Sequence, residues 1–355
     1  MRLSKFRFHQ ICISNFKSVF LTSATIVGLT GLSFPVSAIE LGPQLNETLH
    51  TSIQFEQLYG FGDSISDIGN TFNLVGFPPP PYVDGRFSNG KIWVDFLADY
   101  FKVNPTPITA FDSATSLADT DGINFAFGSA TSGLDFRPSL GIEVGVLAQV
   151  ETFINLLNQN AQTLTNSNAL YTLFVGGSDY LNLPNLPNTV EETELIYSQT
   201  VNNISTVLTQ LAENNAKNIL VLNLPDLDKL PLSASLVDSQ KTSLNNLVLG
   251  HNELLKNEIQ NLSTVFPKTN FTLFDLNGLS NQIQEKPENF GLTNATNGCL
   301  MSPECLDADS YLFWDEVHFT TAGYRILADS VLESLAAKLA WGHEYLKALP
   351  DDEKS

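Results

Sequence analysis

The chain has 355 residues, 43% of them hydrophobic and 16% charged, and a formal net charge of -20. Its length allows a large core without help from disulfides or metals. Phosphates of nucleic acid and anionic membrane surfaces would repel so acidic a chain, so we expect neither as a partner.

The first 38 residues have the pattern of an export signal. Basic residues come before an apolar stretch from Val19 to about Phe34, and Val36-Ser37-Ala38 fits a cleavage site. The alternative is an uncleaved anchor helix, although Pro35 and two glycines interrupt the stretch and a span needs ~20 residues. We predict a signal peptide over residues 1–38 and a secreted or periplasmic protein.

The remainder has no internal repeat, long linker or second candidate membrane span. We predict a polar lead-in over residues 39–54, one domain over residues 55–342 and a polar tail over residues 343–355. We expect a monomer.

Short apolar runs alternate with helical patterns along this domain. The runs cover residues 58–61, 123–127, 173–175, 219–222 and 271–274, and the helical patterns cover residues 92–100, 144–154, 204–211, 244–259 and 323–339. The runs are typical of strands buried on both faces, and their alternation with helices predicts an α/β fold with a parallel sheet. Ligands of such sheets bind beyond the carboxyl ends of the strands.

The first strand ends in Gly62-Asp63-Ser64. We expect Ser64 to open the next helix, where the positive end of the helix dipole favours developing negative charge. The alternative is a helix-capping serine, with Asp67 three residues on as a loose capping box. The proline-rich segment Phe77–Tyr82 is predicted as a stiff loop near the cleft.

A second chemical signal lies near the C-terminus. Asp315 comes three residues before His318, on a predicted loop that precedes the last helix. A carboxylate at this spacing can orient an imidazole, and the imidazole can then take the proton of a serine. Because this pair is present, the sequence favours Ser64 as a candidate nucleophile over Ser64 as a helix cap.

The chain has three cysteines, and Cys12 lies in the predicted signal. The two that remain, Cys299 and Cys305, indicate a disulfide in an exported protein. Metal binding is the weaker alternative because no histidine sits at ligand spacing. We predict no metal site.

Five segments resemble the conserved blocks of the GDSL (SGNH) hydrolase family, in the order of that family. They are Phe61–Asn70, Gly85–Gly90 with Trp93, Asn124–Ala130, Val175–Tyr180 and Phe313–His318. The resemblance implies a three-layer α/β/α sandwich of flavodoxin-like topology, with a five-stranded and mostly parallel sheet. It also implies Ser64 as nucleophile and first oxyanion donor, His318 as general base, Asp315 as its orienting partner, and no cofactor.

Two positions depart from the family. Ser129 stands where a glycine usually donates its backbone N–H to the oxyanion, and Ser178 stands where an asparagine usually donates its side-chain amide. Ser129 keeps an N–H, whereas the hydroxyl of Ser178 is shorter than an amide. Asn182, one helical turn further on, is an alternative donor.

The resemblance favours a serine ester hydrolase of lipase, esterase or phospholipase type that works through an acyl-enzyme on Ser64. The alternative is a weakly active or non-catalytic protein that binds lipid or glycan esters, because Ser178 replaces the oxyanion asparagine. An acyltransferase that uses the same acyl-enzyme is a third possibility.

Overall fold

The computed structural model of the protein describes residues 53–112, 115–138, 141–159 and 168–348. The predicted signal peptide, nearly all of the lead-in and the end of the tail lie outside these residues. The division of the chain into those segments therefore stays a prediction.

Ten strands form three sheets in the described part of the chain. They are β1 (Gln57–Gly62), β2 (Thr106–Pro107), β3 (Ile123–Asn124), β4 (Phe136–Arg137), β5 (Ile142–Glu143), β6 (Ala169–Phe174), β7 (Asn218–Leu222), β8 (Asn270–Phe274), β9 (Asn294–Gly298) and β10 (Tyr311–Phe313). The central sheet has the order β2-β3-β1-β6-β7-β8, and every neighbouring pair is parallel. Strands β4 and β5 form a hairpin, and β9 pairs with β10.

The predicted α/β fold with a parallel central sheet is confirmed, but the sheet has six strands instead of five. The extra strand is β2, which has only two residues and lies at the edge. It has no apolar run to reveal it, and Pro107 lacks the N–H that a central strand needs. Without β2, the strand order is the 2-1-3-4-5 order of flavodoxin-like sheets.

Helices cover both faces of this sheet. They are α1 (Asn70–Val75), α2 (Trp93–Phe101), α3 (Val146–Gln159), α4 (Gly177–Leu181), α5 (Val190–Glu213), α6 (Asp238–Val265), α7 (Leu276–Glu285) and α8 (Thr321–Ala348). Successive strand residues point to opposite faces. Leu58 accordingly belongs to one apolar cluster with Leu97 of α2 and Leu327 of α8, whereas Tyr59 belongs to the other with Phe153 of α3.

Several elements differ from their predicted bounds. Helix α8 continues to Ala348, past the expected end at Leu339, and β6 begins at Ala169, before its expected start at Leu173. The short helices α1 and α4, helix α7 and the two small sheets were not predicted, and most of these elements have too few residues to show a period. No helix in the described ranges is long and apolar enough to span a membrane.

Candidate active site

The chain makes a sharp turn where β1 ends. Gly62 has a φ of 142°, and a Cβ there would lie 2.2 Å from the carbonyl oxygen of Phe174. Only glycine therefore lets β1 lie this close to β6 and turn in this direction. The turn brings Ser64 to the carboxyl edge of the sheet, where α/β proteins bind ligands.

Ser64 does not open a helix, so that expectation is wrong. The N–H of Ser66 donates to the carbonyl of Asp63 at 3.0 Å, and the N–H of Ile65 donates to the Asp63 carboxylate at 3.0 Å. These bonds close a turn, and α1 begins only at Asn70. Ser64 therefore does not cap α1, and the dipole of α1 does not act on it directly.

A tight loop presents the predicted carboxylate and histidine. The N–H of Trp314 donates to the carbonyl of His318 at 2.7 Å, and Phe313 forms an antiparallel bridge with Phe319. The N–H groups of Val317 and His318 both donate to Asp315 Oδ1 at 2.7 Å. The loop thus fixes the carboxylate against the backbone that carries the imidazole.

The three predicted catalytic side chains form one hydrogen-bonded chain. His318 Nε2 lies 2.8 Å from Ser64 Oγ, and His318 Nδ1 lies 2.7 Å from Asp315 Oδ2. Burial alone would raise the pKa of Asp315, but the hydrogen bonds and charge of His318 and the N–H groups hold that pKa at about 2. A carboxylate that stays ionised keeps a proton on Nδ1 and leaves Nε2 free to accept one from Ser64.

Tyr82 is a fourth side chain in this hydrogen-bonded set, and the sequence did not reveal it. Its hydroxyl donates to Asp315 Oδ2 at 2.7 Å. The pKa of Tyr82 is raised, first by burial and then by the hydrogen bond to Asp315 and its charge, so the phenol keeps its proton. The sequence placed Tyr82 only in a loop near the cleft.

The Gly85–Gly90 segment supports the histidine loop from the other side. Ser88 Oγ donates to the carbonyl of Phe319 at 2.9 Å, and Asn89 Oδ1 accepts the N–H of Thr321 at 2.8 Å. The ring centroid of Phe87 lies 5.1 Å from that of His318. The Gly85–Gly90 segment therefore stabilises the histidine loop, although the two lie more than 200 residues apart in the chain.

Asp67 connects the serine turn with the loop that carries Ser129. Its Oδ1 accepts the N–H of Asn70 at 2.6 Å, and its Oδ2 accepts the N–H of Gly128 at 3.0 Å. Asp67 is fully buried. These are the turn and cap hydrogen bonds expected of aspartate in such places.

The backbone N–H groups of Ser64 and Ser129 have no hydrogen-bond partner among the described residues. Ser129 has a φ of 59°, in the left-handed region that favours glycine, which explains why a glycine is usual there. Ser178 is half-buried in the wall of the cavity beside Ser64, whereas Asn182 is exposed. The structure thus places Ser178, and not Asn182, at the cavity.

A cavity of about 50 Å³ opens beside Ser64. Apart from Asp63, Ser64 and Ser178 its side chains are apolar: Ile65, Phe174, Leu181, Leu224, Pro225, Leu227, Leu230, Leu276, Val317 and Phe319. Leu181 also lines a larger open groove of about 850 Å³. The lining suits a hydrocarbon better than a charged group.

Asp63 is a buried acid in this wall. Its side chain is 3% exposed, and burial raises its pKa to about 7, although the N–H of Ile65 and the charge of His318 oppose this. Burial also raises the pKa of Asp179 above its ordinary value. The carboxylate of Asp179 accepts hydrogen bonds from the N–H and the hydroxyl of Ser132.

The two cysteines outside the predicted signal meet next to the histidine loop. Sγ of Cys299 lies 2.07 Å from Sγ of Cys305, a bonded distance. The N–H of Leu300 donates to the carbonyl of Trp314 at 2.7 Å. No group of three metal-ligating side chains lies together in the described ranges.

Comparison with known proteins gives a match over most of the chain. The sequence profile described as GDSL-like Lipase/Acylhydrolase matches residues 58–331. A thermolabile hemolysin from Vibrio parahaemolyticus serotype O3:K6 is 28% identical over 301 residues, which cover 79% of this chain and 64% of that protein. This chain therefore spans less than two thirds of that relative's length.

Two other relatives are matched over more of their length. A GDSL esterase/lipase from Arabidopsis thaliana is 26% identical over 336 residues, which cover 79% of this chain and 85% of that protein. A phosphatidylcholine-sterol acyltransferase from Aeromonas hydrophila is 28% identical over 299 residues, with 81% of each chain covered.

Proposed function

Because the chain belongs to the GDSL-like lipase/acylhydrolase family, we propose that it is a serine ester hydrolase acting through an acyl-enzyme on Ser64. The observation that supports this most directly is the continuous chain of hydrogen bonds from Ser64 through His318 to Asp315. The relatives named as esterase/lipase and acyltransferase agree with acyl-transfer chemistry. We also propose that the protein is secreted or periplasmic.

In the proposed reaction, Ser64 Oγ attacks the ester carbonyl carbon while His318 Nε2 takes the serine proton. The carbonyl oxygen becomes an oxyanion, the ester C–O bond breaks, and His318 returns the proton to the leaving alcohol. Water then attacks the acyl-enzyme by the same proton transfers and releases the acid. Asp315 stabilises the imidazolium in both steps.

We propose that the oxyanion receives the free N–H groups of Ser64 and Ser129 and the hydroxyl of Ser178. The short reach of that hydroxyl favours a second candidate function, a weakly active protein that binds an ester. Ser178→Ala tests whether the hydroxyl is a donor, because loss of one donor costs on the order of 10²–10³ in kcat. An unchanged kcat would remove Ser178 from the hole, and a gain in Ser178→Asn would show that the missing amide limits the rate.

The central test is hydrolysis of p-nitrophenyl esters of several acyl lengths by the wild-type chain, Ser64→Ala and the matched control Ser263→Ala, which replaces an exposed serine on α6 outside both cavities. We expect activity in the wild type and the control and none above background in Ser64→Ala. Wild-type inactivity at every length would refute the esterase, and activity retained in Ser64→Ala would refute this nucleophile.

The apolar cavity supports an ester with a hydrocarbon acyl group as substrate. We propose that the first carbons of the acyl chain enter this cavity and that longer chains pass Leu181 into the larger groove. Leu181→Trp should lower kcat/KM for octanoate relative to acetate esters. Because it is a ratio, this readout does not depend on the amount of folded enzyme. An unchanged ratio would place the acyl chain elsewhere.

A further inference from the structure

A short segment beside the site leaves its large apolar side chains in solvent. In residues 72–77, which we call the apolar segment, Phe72 is 41%, Leu74 41%, Val75 50% and Phe77 52% exposed. Single exposed apolar residues are ordinary, but a contiguous group usually marks a contact surface. The helix α1 that carries most of this segment has Asn70 as its only buried residue.

The apolar segment connects to the catalytic histidine through one ring. The centroid of Phe77 lies 5.8 Å from that of Phe87, and Phe87 lies 5.1 Å from the imidazole of His318. At the start of the same helix, Thr71 Oγ1 accepts the N–H of Gly128 at 2.7 Å, next to Ser129. The segment therefore stands at the rim of the proposed site.

The β4–β5 hairpin adds exposed apolar side chains close to Ser129. Leu134 is 45%, Phe136 57% and Ile142 36% exposed. Arg137, in the same hairpin, donates to the carbonyl of Ser129 at 2.7 Å. Exposed apolar groups thus come from two separate elements that both contact the site.

The charge pattern indicates what covers this surface. Residues 68–83 contain no Asp, Glu, Lys or Arg, in a chain whose net charge is -20. An uncharged apolar segment on an acidic protein suits an apolar phase with a neutral surface. The net negative charge of the protein opposes binding to an anionic surface. A lipid surface also accepts such side chains without a matching shape.

We propose that the apolar segment, helped by the β4–β5 hairpin, docks the enzyme on a zwitterionic lipid surface and brings lipid esters to Ser64. This inference rests on the proposed esterase function, since docking beside Ser64 serves catalysis only if Ser64 attacks esters. Docking of this kind narrows the proposed substrates to esters that are held in a neutral lipid interface.

The binding test uses the full chain carrying Ser64→Ala, so that vesicles are not consumed. Cosedimentation is measured with phosphatidylcholine vesicles and with vesicles that also contain phosphatidylglycerol. We expect binding to the former, weaker binding to the latter at low salt, and roughly tenfold or greater loss of binding in Leu74→Ser/Val75→Ser.

The matched control is Leu249→Ser/Val265→Ser, whose side chains are 55% and 66% exposed on α6. Val265 ends that helix just before β8 begins. It therefore lies near the amino ends of the strands, whereas Ser64 lies at their carboxyl ends. We expect this control to bind vesicles like the parent chain. Equal vesicle binding by both double variants, or none by the parent, would overturn the proposal.

Activity separates this inference from the esterase function. With Ser64 present, Leu74→Ser/Val75→Ser should hydrolyse soluble p-nitrophenyl acetate within twofold of wild type and lose at least about tenfold on phosphatidylcholine vesicles. Soluble ester hydrolysis without vesicle binding would refute docking alone, and vesicle binding without any hydrolysis would refute the esterase alone. A wild-type dimer that the double variant disrupts, without vesicle binding, would assign the surface to a second copy instead.

Discussion

Replacing Tyr82 by phenylalanine removes one hydrogen bond from the proposed catalytic carboxylate and keeps the ring. The hydroxyl lies 2.7 Å from Asp315 Oδ2, the oxygen that also contacts His318 Nδ1. A hydrogen bond to a charged group contributes about 1.5–3 kcal/mol. Tyr82 is only half-buried, so water can replace the phenol and we expect the lower end of this range. Three N–H donors remain on Asp315, which therefore stays ionised.

A loss of about 1.5 kcal/mol in the transition state corresponds to a roughly tenfold lower kcat. KM should change little, because Tyr82 does not line the cavity. The assay is kcat and KM on a soluble p-nitrophenyl ester for Tyr82→Phe, with Tyr197→Phe as a matched control on α5. Asp315→Asn should lose far more, on the order of 10⁴, because it offers the histidine the wrong hydrogen bond.

Three outcomes would contradict this role of Tyr82. A kcat within twofold of wild type would mean that the phenol does not help to position Asp315. A change in KM with constant kcat would mean that Tyr82 contacts substrate instead. Agreement between Tyr82→Phe and Asp315→Asn would show that Tyr82 supports the whole loop and not one oxygen.

Three further changes have outcomes that the structure defines. Ser129→Gly should raise the free energy of unfolding by up to about 1 kcal/mol in denaturant titration and keep activity, because φ is 59° and the donor is backbone. Asp63 has its pKa raised from 3.8 to about 7, so its native state loses stability as pH rises between those values. Asp63→Asn should therefore gain up to about 4 kcal/mol at pH 8 and nothing near pH 3, by thermal unfolding. Cys299→Ser/Cys305→Ser opens a loop with a sequence separation of 6 and should lower the free energy of unfolding by about 2 kcal/mol relative to oxidised wild type, whereas dithiothreitol-treated wild type should match the variant.

Sequence patterns predicted the main sheet and selected Ser64, Asp315 and His318 as candidate site residues, which the structure brings into hydrogen-bonding contact. Five apolar runs were long enough to predict five of the six central strands, because burial on both faces leaves a continuous apolar signal. The Asp-x-x-His spacing is local, so it predicted that Asp315 could reach the imidazole of His318, which it does at 2.7 Å. The edge strand β2 was missed because two residues have no period.

The way Ser64 is held, and the groups that surround it, depend on contacts between distant parts of the chain. Its turn depends on Gly62 passing the carbonyl of Phe174, and the carboxylate of Asp315 depends on Tyr82, 233 residues away in the chain. Contacts between segments so far apart leave no pattern in a sequence, because hydrogen bonds and packing act on distance in space. The same reason applies to the apolar segment: its composition was visible in the sequence, but its exposure beside the site followed only from the fold.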